Sequence, residues 1–493
     1  MSKSSKELLS YIRDGRTMSR QEKLQLIVQL SIPSILAQIS ATVMFFIDAS
    51  MVGHLGAQAS ASIGLVESST WLLGGLAMAC NMGFSVQVAH FIGASDFENA
   101  RRVMRQSLVC ALCWSLLLMV VCFAIHQQLP YWLGGTEEIA RDASLYFMLI
   151  GIFGIFFQME ALAGSMLKCS GNMKVPSALN ILMCCLDVVF NYGFIYVLDM
   201  GVVGAACGTG LAELVTAALM LYFLLWRSDM LGLFRGYAGT EVRGYEDSSA
   251  CENHRGGEGH LAPSYLRAPV PPKNSFRPTA DVVRTAFKIG APMGLQHLLT
   301  GGAYIVGTII VAPLGTVAIA ANSLAITVES LCYMPGHGVA EAATTLVGQG
   351  IGAGQRLLTR SLAYMSVALG IACMTVMGVL MWVFAPELMT LMSPVAEIID
   401  QGTAVLRIEA WAEPMFAASI VANGVFIGAG DTLKPAAMNL ASMGGVRLTL
   451  AALLATQYGL RGVWMAMAIE LTFRGIIFLV RLFRGNWNKK LNG

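Results

Sequence analysis

Twelve apolar stretches, each long enough to cross a bilayer, govern what this chain can fold into. They fall at about 25–50, 58–84, 103–125, 143–167, 176–198, 202–226, 286–311, 317–345, 361–385, 403–428, 436–457 and 461–483, and a spanning helix needs about 20 such residues. The bilayer core offers no water to free backbone groups, so such segments fold as α-helices. The expected fold class is therefore an all-α polytopic membrane protein. Only 13% of the 493 residues are charged and 56% are hydrophobic, against roughly 25% charged in a soluble domain. That excludes a large soluble domain and makes the lipid bilayer a partner. The 32 Lys and Arg nearly balance the 30 Asp and Glu, so no basic field points to nucleic acid.

The placement of the basic residues sets the expected orientation. Threading the stretches alternately from an inside N-terminus leaves only Arg141 and Arg461 in outside loops, with Arg407, Arg447 and Arg474 within spans and all other Lys and Arg inside. The positive-inside rule then places both termini on the cytoplasmic side of the plasma membrane, which in a bacterium is the inner membrane. Residues 1–24, with Lys3, Lys6, Arg13, Arg16, Arg20 and Lys23, read as an amphipathic cytoplasmic tail rather than a cleaved signal peptide. Residues 227–285 read as a cytoplasmic linker between a lobe at 25–226 and a lobe at 286–483, with a tail at 484–493. The linker's core, 236–280, holds Glu246, Asp247, Pro269, Pro271 and Pro272 and is too polar to bury itself. Its Cys251, His254 and His260 fit no metal spacing, and Cys110 and Cys113 form a lone CxxC inside an apolar run. No structural metal and no cofactor is expected.

The linker separates six spans from six, and the halves repeat. At an offset of 259 residues Pro33 meets Pro292, Leu55-Gly56 meet Leu314-Gly315, Ile92-Gly93-Ala94 meet Ile351-Gly352-Ala353, Gly171 meets Gly430 and Asn180 meets Asn439. After a one-residue slip Gly204 meets Gly462. An even number of spans per repeat gives both lobes the same orientation, related by a pseudo-twofold axis along the membrane normal. Carriers that rock about a central site are built this way.

Four motifs carry a family resemblance. Asp48-Ala49-Ser50-Met51-Val52-Gly53-His54-Leu55-Gly56 closes the first span, and Gly348-Gln349-Gly350-Ile351-Gly352-Ala353-Gly354 follows the eighth. Ser170-Gly171-Asn172-Met173-Lys174-Val175-Pro176 and Gly430-Asp431-Thr432-Leu433-Lys434-Pro435 occupy matching loops. Together they resemble the multidrug and toxic compound extrusion (MATE) family over nearly the whole chain except the tails and linker. The resemblance implies an antiporter, not an enzyme, that exports organic, often cationic amphipathic compounds in exchange for H⁺ or Na⁺ by alternating access. Small organic substrates and a monomeric state are the expectation.

Ionisable groups inside spans are costly and functional by default. At about 1.5 Å per residue, Asp48, Asn191 and Thr209 occupy the outer third of the first lobe, and Asp187 lies one turn below Asn191 on the same face. Their oxygens suit either a proton-binding carboxyl or a Na⁺ ion. The resemblance implies that a first-span Asp, an Asn-x-x-x-Asp pair on span 5 and a span 6 Thr form the cation-coupling site. Asp48 and Thr209 match, while Asp187 and Asn191 stand in reverse order. In the second lobe Thr300 occupies the position of a coupling Glu used by some MATE branches. Glu409, Glu413, Arg447 and Glu470 form a candidate polar site there, with Arg447 expected to pair with one of the glutamates and Arg407 and Glu409 expected to snorkel near the outer end of span 10. His297, at the repeat position of Gln38, is expected to face the cavity. A lipid-linked oligosaccharide flippase of the same superfamily is the alternative, disfavoured because the spans hold only three basic residues. A membrane-embedded enzyme lacks any catalytic cluster in the spans.

Overall fold

The computed structural model describes residues 3–233, 276–485 and 487. Most of the expected linker, with Cys251, His254 and His260, lies outside the described residues. Among the described residues every regular element is a helix: α1 Ser5–Arg13, α2 Arg20–Gly53, α3 Ala57–Gly93, α4 Phe97–Ile125, the single turn α5 Leu129–Trp132, α6 Glu137–Cys169, α7 Lys174–Tyr192 and α8 Gly201–Tyr222 in the first half. The second half holds α9 Ala280–Val311, α10 Thr316–Gly352, α11 Arg356–Met392, α12 Ala396–Glu409, α13 Glu413–Gly428, α14 Leu433–Ser442, α15 Thr449–Tyr458 and α16 Leu460–Arg484. Eleven helical segments are long and apolar enough to cross a membrane, and α12 with α13 makes a twelfth.

The helices outrun the apolar stretches that announce them, because a helix ends where its backbone is capped rather than where lipid contact stops. Ser19 and Glu22 close a reciprocal capping box at the start of α2, with Ser19 N donating to Glu22 Oε2 at 2.8 Å and Glu22 N to Ser19 Oγ at 3.2 Å. Helix α9 begins at Ala280, inside the stretch read as linker. Span 10 departs more deeply from the expected continuous run. It breaks between Glu409 and Glu413 and bends by 59°. Span 11 stays whole but passes through a π-helical turn, Met443–Leu448, between α14 and α15.

The internal repeat reappears in three dimensions. Gly56 and Gly315, 259 residues apart, precede α3 and α10 with φ of 111° and 97°, a backbone region nearly reserved for glycine. The lobes meet where α2 packs on α10 and, by the same symmetry, α9 packs on α3. At one end α3 and α10 cross backbone to backbone: a side chain on Gly93 would strike Gln349, and one on Gly352 would strike His90. Beside this crossing His90 Nε2 meets Gly428 O at 2.8 Å and Gln349 Nε2 donates to Cys169 O at 2.7 Å. These two contacts are repeat mates, each caps the last carbonyl of a helix, and each joins one lobe to the other.

That same end carries α1. Its Leu8, Leu9 and Ile12 are buried with Met173 of the first lobe and Leu346 and Leu362 of the second. Gln355 Nε2, from the turn after α10, donates to Ile12 O at 2.5 Å, and Lys6 pairs with Asp229 beyond α8 at 2.8 Å. Lys168 of α6 holds Glu341 of α10 at 2.9 Å, a further bond between the lobes.

Candidate functional site

The first-lobe site is assembled by close packing of α7 on α8. Gly204 and Gly208, spaced as a small-xxx-small pair, let the helices touch. A Cβ on Gly204 would lie 2.8 Å from the Phe194 backbone, and one on Gly208 would lie 2.8 Å from Asn191 N. Asn191, pressed against this glycine, becomes the hub. Its Nδ2 donates to Asp48 Oδ1 at 3.0 Å, to Asp187 Oδ2 at 3.0 Å and, more weakly, to Thr209 Oγ1 at 3.5 Å. The structure thus brings together the four residues singled out from sequence. Asp187 is 0% and Asn191 1% exposed, yet Asp187 Oδ1 and Asn191 Oδ1 have no hydrogen-bond partner. Two carboxylates share one neutral donor, and buried acceptor oxygens are left over. That is an electrostatic demand for positive charge.

Two acids not singled out from sequence continue the lining toward the α1 end. Glu213 lies one turn below Thr209 on α8, within electrostatic range of both Asp187 and Glu160. Glu160, buried on α6, accepts from the Asn180 amide at 3.0 Å when that amide is turned so that its NH2 faces acceptors. Both stand inside apolar stretches, so the rule that selects Asp48 also selects them.

In the second lobe, Glu409 and Glu413 flank the bend of span 10. Both are 0% exposed, and their four carboxylate oxygens have no nitrogen or oxygen partner, Glu413 having only the Cys332 thiol beside it. Glu409 therefore does not snorkel. The bend turns the end of α12 inward against α10, α11 and α16, and only Arg407 reaches outward, over the Trp382 ring at 5.2 Å. The expected pairing of Arg447 with a glutamate is also corrected. Arg474, four residues along α16, pairs with Glu470 at 3.0 Å, and Ser442 Oγ donates to the same carboxylate at 2.6 Å. An i, i+4 partner on the same helix is in place before any tertiary contact forms. Arg447 instead donates to Met467 Sδ at 2.7 Å and lies 5.9 Å from the Tyr304 ring centre. Glu329 of α10, another buried acid missed in the sequence, completes the group. His297 rests against α3, where a Cβ on Gly75 would lie 2.9 Å from its ring.

The MatE family model matches residues 33–193 and 292–453, two segments that begin at the repeat-related Pro33 and Pro292. The chain belongs to the MatE family. Among MATE proteins it is similar to the probable multidrug resistance protein NorM of Thermotoga maritima, at 23% identity over 94% of this chain and 93% of that one. It is also similar to the multidrug resistance protein MdtK of Yersinia pseudotuberculosis, at 25% identity over 92% and 94%. A solved structure described as the outward-facing conformation of a multidrug resistance MATE family transporter superposes with a TM-score of 0.84 at 20% identity, covering 100% of both chains. A crystal structure of a mutant of the Vibrio cholerae MATE transporter VcmN superposes with a TM-score of 0.80 at 17% identity over 98% of each chain. The twelve-span, two-lobe MATE fold is thus that of this multi-pass membrane protein.

Proposed function

We propose that this chain is a secondary antiporter that exports small organic compounds, cationic amphiphiles among them, in exchange for H⁺ or Na⁺. The carrying observation is the Asn191 hub, where Asp48 and Asp187 share one amide donor and buried acceptor oxygens stay unpartnered. In this reading Asp48, Asp187, Asn191 and Thr209 hold the coupling ion, and Glu409 and Glu413 give the second lobe a further place for positive charge. The α1 end is cytoplasmic, consistent with the positive-inside distribution, and the protein works as a monomer in the inner membrane with residues 227–285 as a cytoplasmic linker. With the lobes joined at the α1 end, this state corresponds to a cavity shut toward the cytoplasm. The relatives' names, multidrug resistance proteins, support the same activity.

The mechanism follows from charge. With no cation in place, Asp48 and Asp187 repel each other around Asn191. A proton or Na⁺ removes that repulsion and stabilises the packing of α2 on α7. Transport of a fluorescent organic cation into everted vesicles, with a pH gradient or a Na⁺ gradient imposed separately, tests the reading. Asp48→Asn is expected to abolish gradient-driven movement while leaving the protein monodisperse in detergent. Undiminished transport by that variant would remove Asp48 from the coupling site.

A further inference from the structure

Arg447 sits in the middle of span 11, fourteen residues from Leu433 and eleven from Tyr458, the ends of that span. At about 1.5 Å per residue it is some 16 Å or more from either end, too deep for its side chain to reach a membrane surface. Among the described residues it makes no ion pair. Glu470, the carboxylate on the facing helix, is taken by Arg474, while Glu329 and Glu409 act on Arg447 only at longer range. Its one hydrogen-bond acceptor among the described residues is the Met467 thioether, a weak one, and its one aromatic neighbour there is Tyr304. A guanidinium left this way inside a membrane protein has donor capacity to spare.

The repeat shows what replaced what. Asp48, Asp187 and Thr209 of the first lobe have as counterparts Gly307, Val446 and, after the one-residue slip, Met467 in the second. The position that gathers carboxylates in one lobe has none in the other, and a cation stands beside it. There is also room. Tyr304, 5.9 Å from the guanidinium, is 58% exposed, and a Cβ on Gly301 or Gly302 of α9, or on Gly444 or Gly445 of the π-helical turn, would meet nothing within 4 Å. A π-helical turn in mid-span also commonly marks a functional position.

We infer that Arg447 binds the anionic group of organic substrates, a carboxylate or other oxyanion held by the guanidinium fork, with Tyr304 as the wall of the pocket. The acidic end of a zwitterionic substrate then faces Arg447. A guanidinium fits a two-oxygen anion in a way that neither Met467 nor an aromatic face can match. The inference rests on the antiport reading for its transport consequence, but not for binding.

The test uses full-length protein in detergent and two probes, a zwitterionic rhodamine with a free carboxylate and the methyl ester of the same dye, with binding followed by fluorescence polarisation. The wild-type protein is expected to bind the carboxylate dye about ten-fold more tightly than the ester. Arg447→Gln should remove that preference and leave ester affinity within about two-fold, and Arg447→Lys should retain part of it, since a point charge keeps the attraction and loses the fork. A wild-type protein without preference would overturn the inference even if Arg447→Gln failed to fold. Equal loss for both dyes would also overturn it, by making Arg447 a packing residue. If the carboxylate dye binds as expected but no gradient moves it, the binding site stands and the antiport reading fails.

Discussion

The side chain that decides the first-lobe site is the neutral one. Asn191 supplies the donor for both carboxylates, so its loss acts twice, removing two hydrogen bonds and bringing two like charges face to face. Asn191→Ala is expected to lower stability by about 1–3 kcal/mol and to abolish coupled transport, with unfolding followed by thermal shift and transport in vesicles. Unchanged transport would make the amide a bystander. The reversed order of Asp187 and Asn191 relative to the family pattern has a consequence here. Asn191 stands on the outer turn, against Gly208, where it reaches α2 and α8 at once, while Asp187 is 0% exposed one turn deeper. Gly208→Ala should therefore destabilise far more than Ala at Gly193, where a Cβ meets nothing within 4 Å. Equal melting temperatures for the two variants would contradict the packing argument.

Among the elements, α1 is a short one whose attachment depends on both halves of the molecule. Nine residues are too few for a stable isolated helix in water, so α1 is held by docking, through Leu8, Leu9 and Ile12, on Met173 of one lobe and Leu346 and Leu362 of the other. Leu9→Ala should cost roughly 2–3 kcal/mol of that docking and release the helix without disturbing the membrane bundle. Limited trypsin digestion is then expected to cut at Arg13 or Arg16 several-fold faster than in the wild type, with α2 onward intact. An unchanged rate would show that the polar ties, Lys6 to Asp229 and Gln355 to Ile12 O, hold α1 without its apolar face. The bent span 10 is the other element with an individual character. Its break falls between Glu409 and Glu413, so one local departure from helix sets the direction of two carboxylates.

For the molecule as a whole, opening the α1 end requires the lobes to part there, and two of the contacts that resist parting are symmetric. His90 with Gly428 and Gln349 with Cys169 are repeat mates. Lys168 with Glu341 is not: its counterpart by the same offset is Ile427 with Met82, which belong to an apolar cluster. This ionic bond therefore favours the joined state without a repeat mate across the pseudo-twofold axis. Lys168→Glu should speed alkylation of Cys169, 6% exposed at this contact, and the charge-reversed pair Lys168→Glu with Glu341→Lys should restore the slow rate. Failure of the pair to restore it would mean that the bond contributes nothing to keeping the lobes together.

Much of this was legible in the sequence because it depends on local composition and on repetition. Twelve apolar stretches dictate helices wherever the solvent is lipid, and the 259-residue offset dictates two like-oriented lobes. Asp48, Asp187, Asn191 and Thr209 stood out because polar oxygen is rare in spans, and their depth alone placed them at one level. What the sequence left undetermined were the pairings, which depend on how each helix is rotated and crossed. Glu470 took Arg474 rather than Arg447 because the nearer partner lay one turn away on the same helix, leaving Arg447 to face Met467 and Tyr304. Glu409 was placed at the outer end by counting residues along a straight helix, and a 59° bend carried it into the interior instead. Hydropathy cannot reveal such a bend or such a rotation, because an apolar residue facing lipid and one facing a neighbouring helix look alike in the sequence. Only the packing of the lobes distinguishes them.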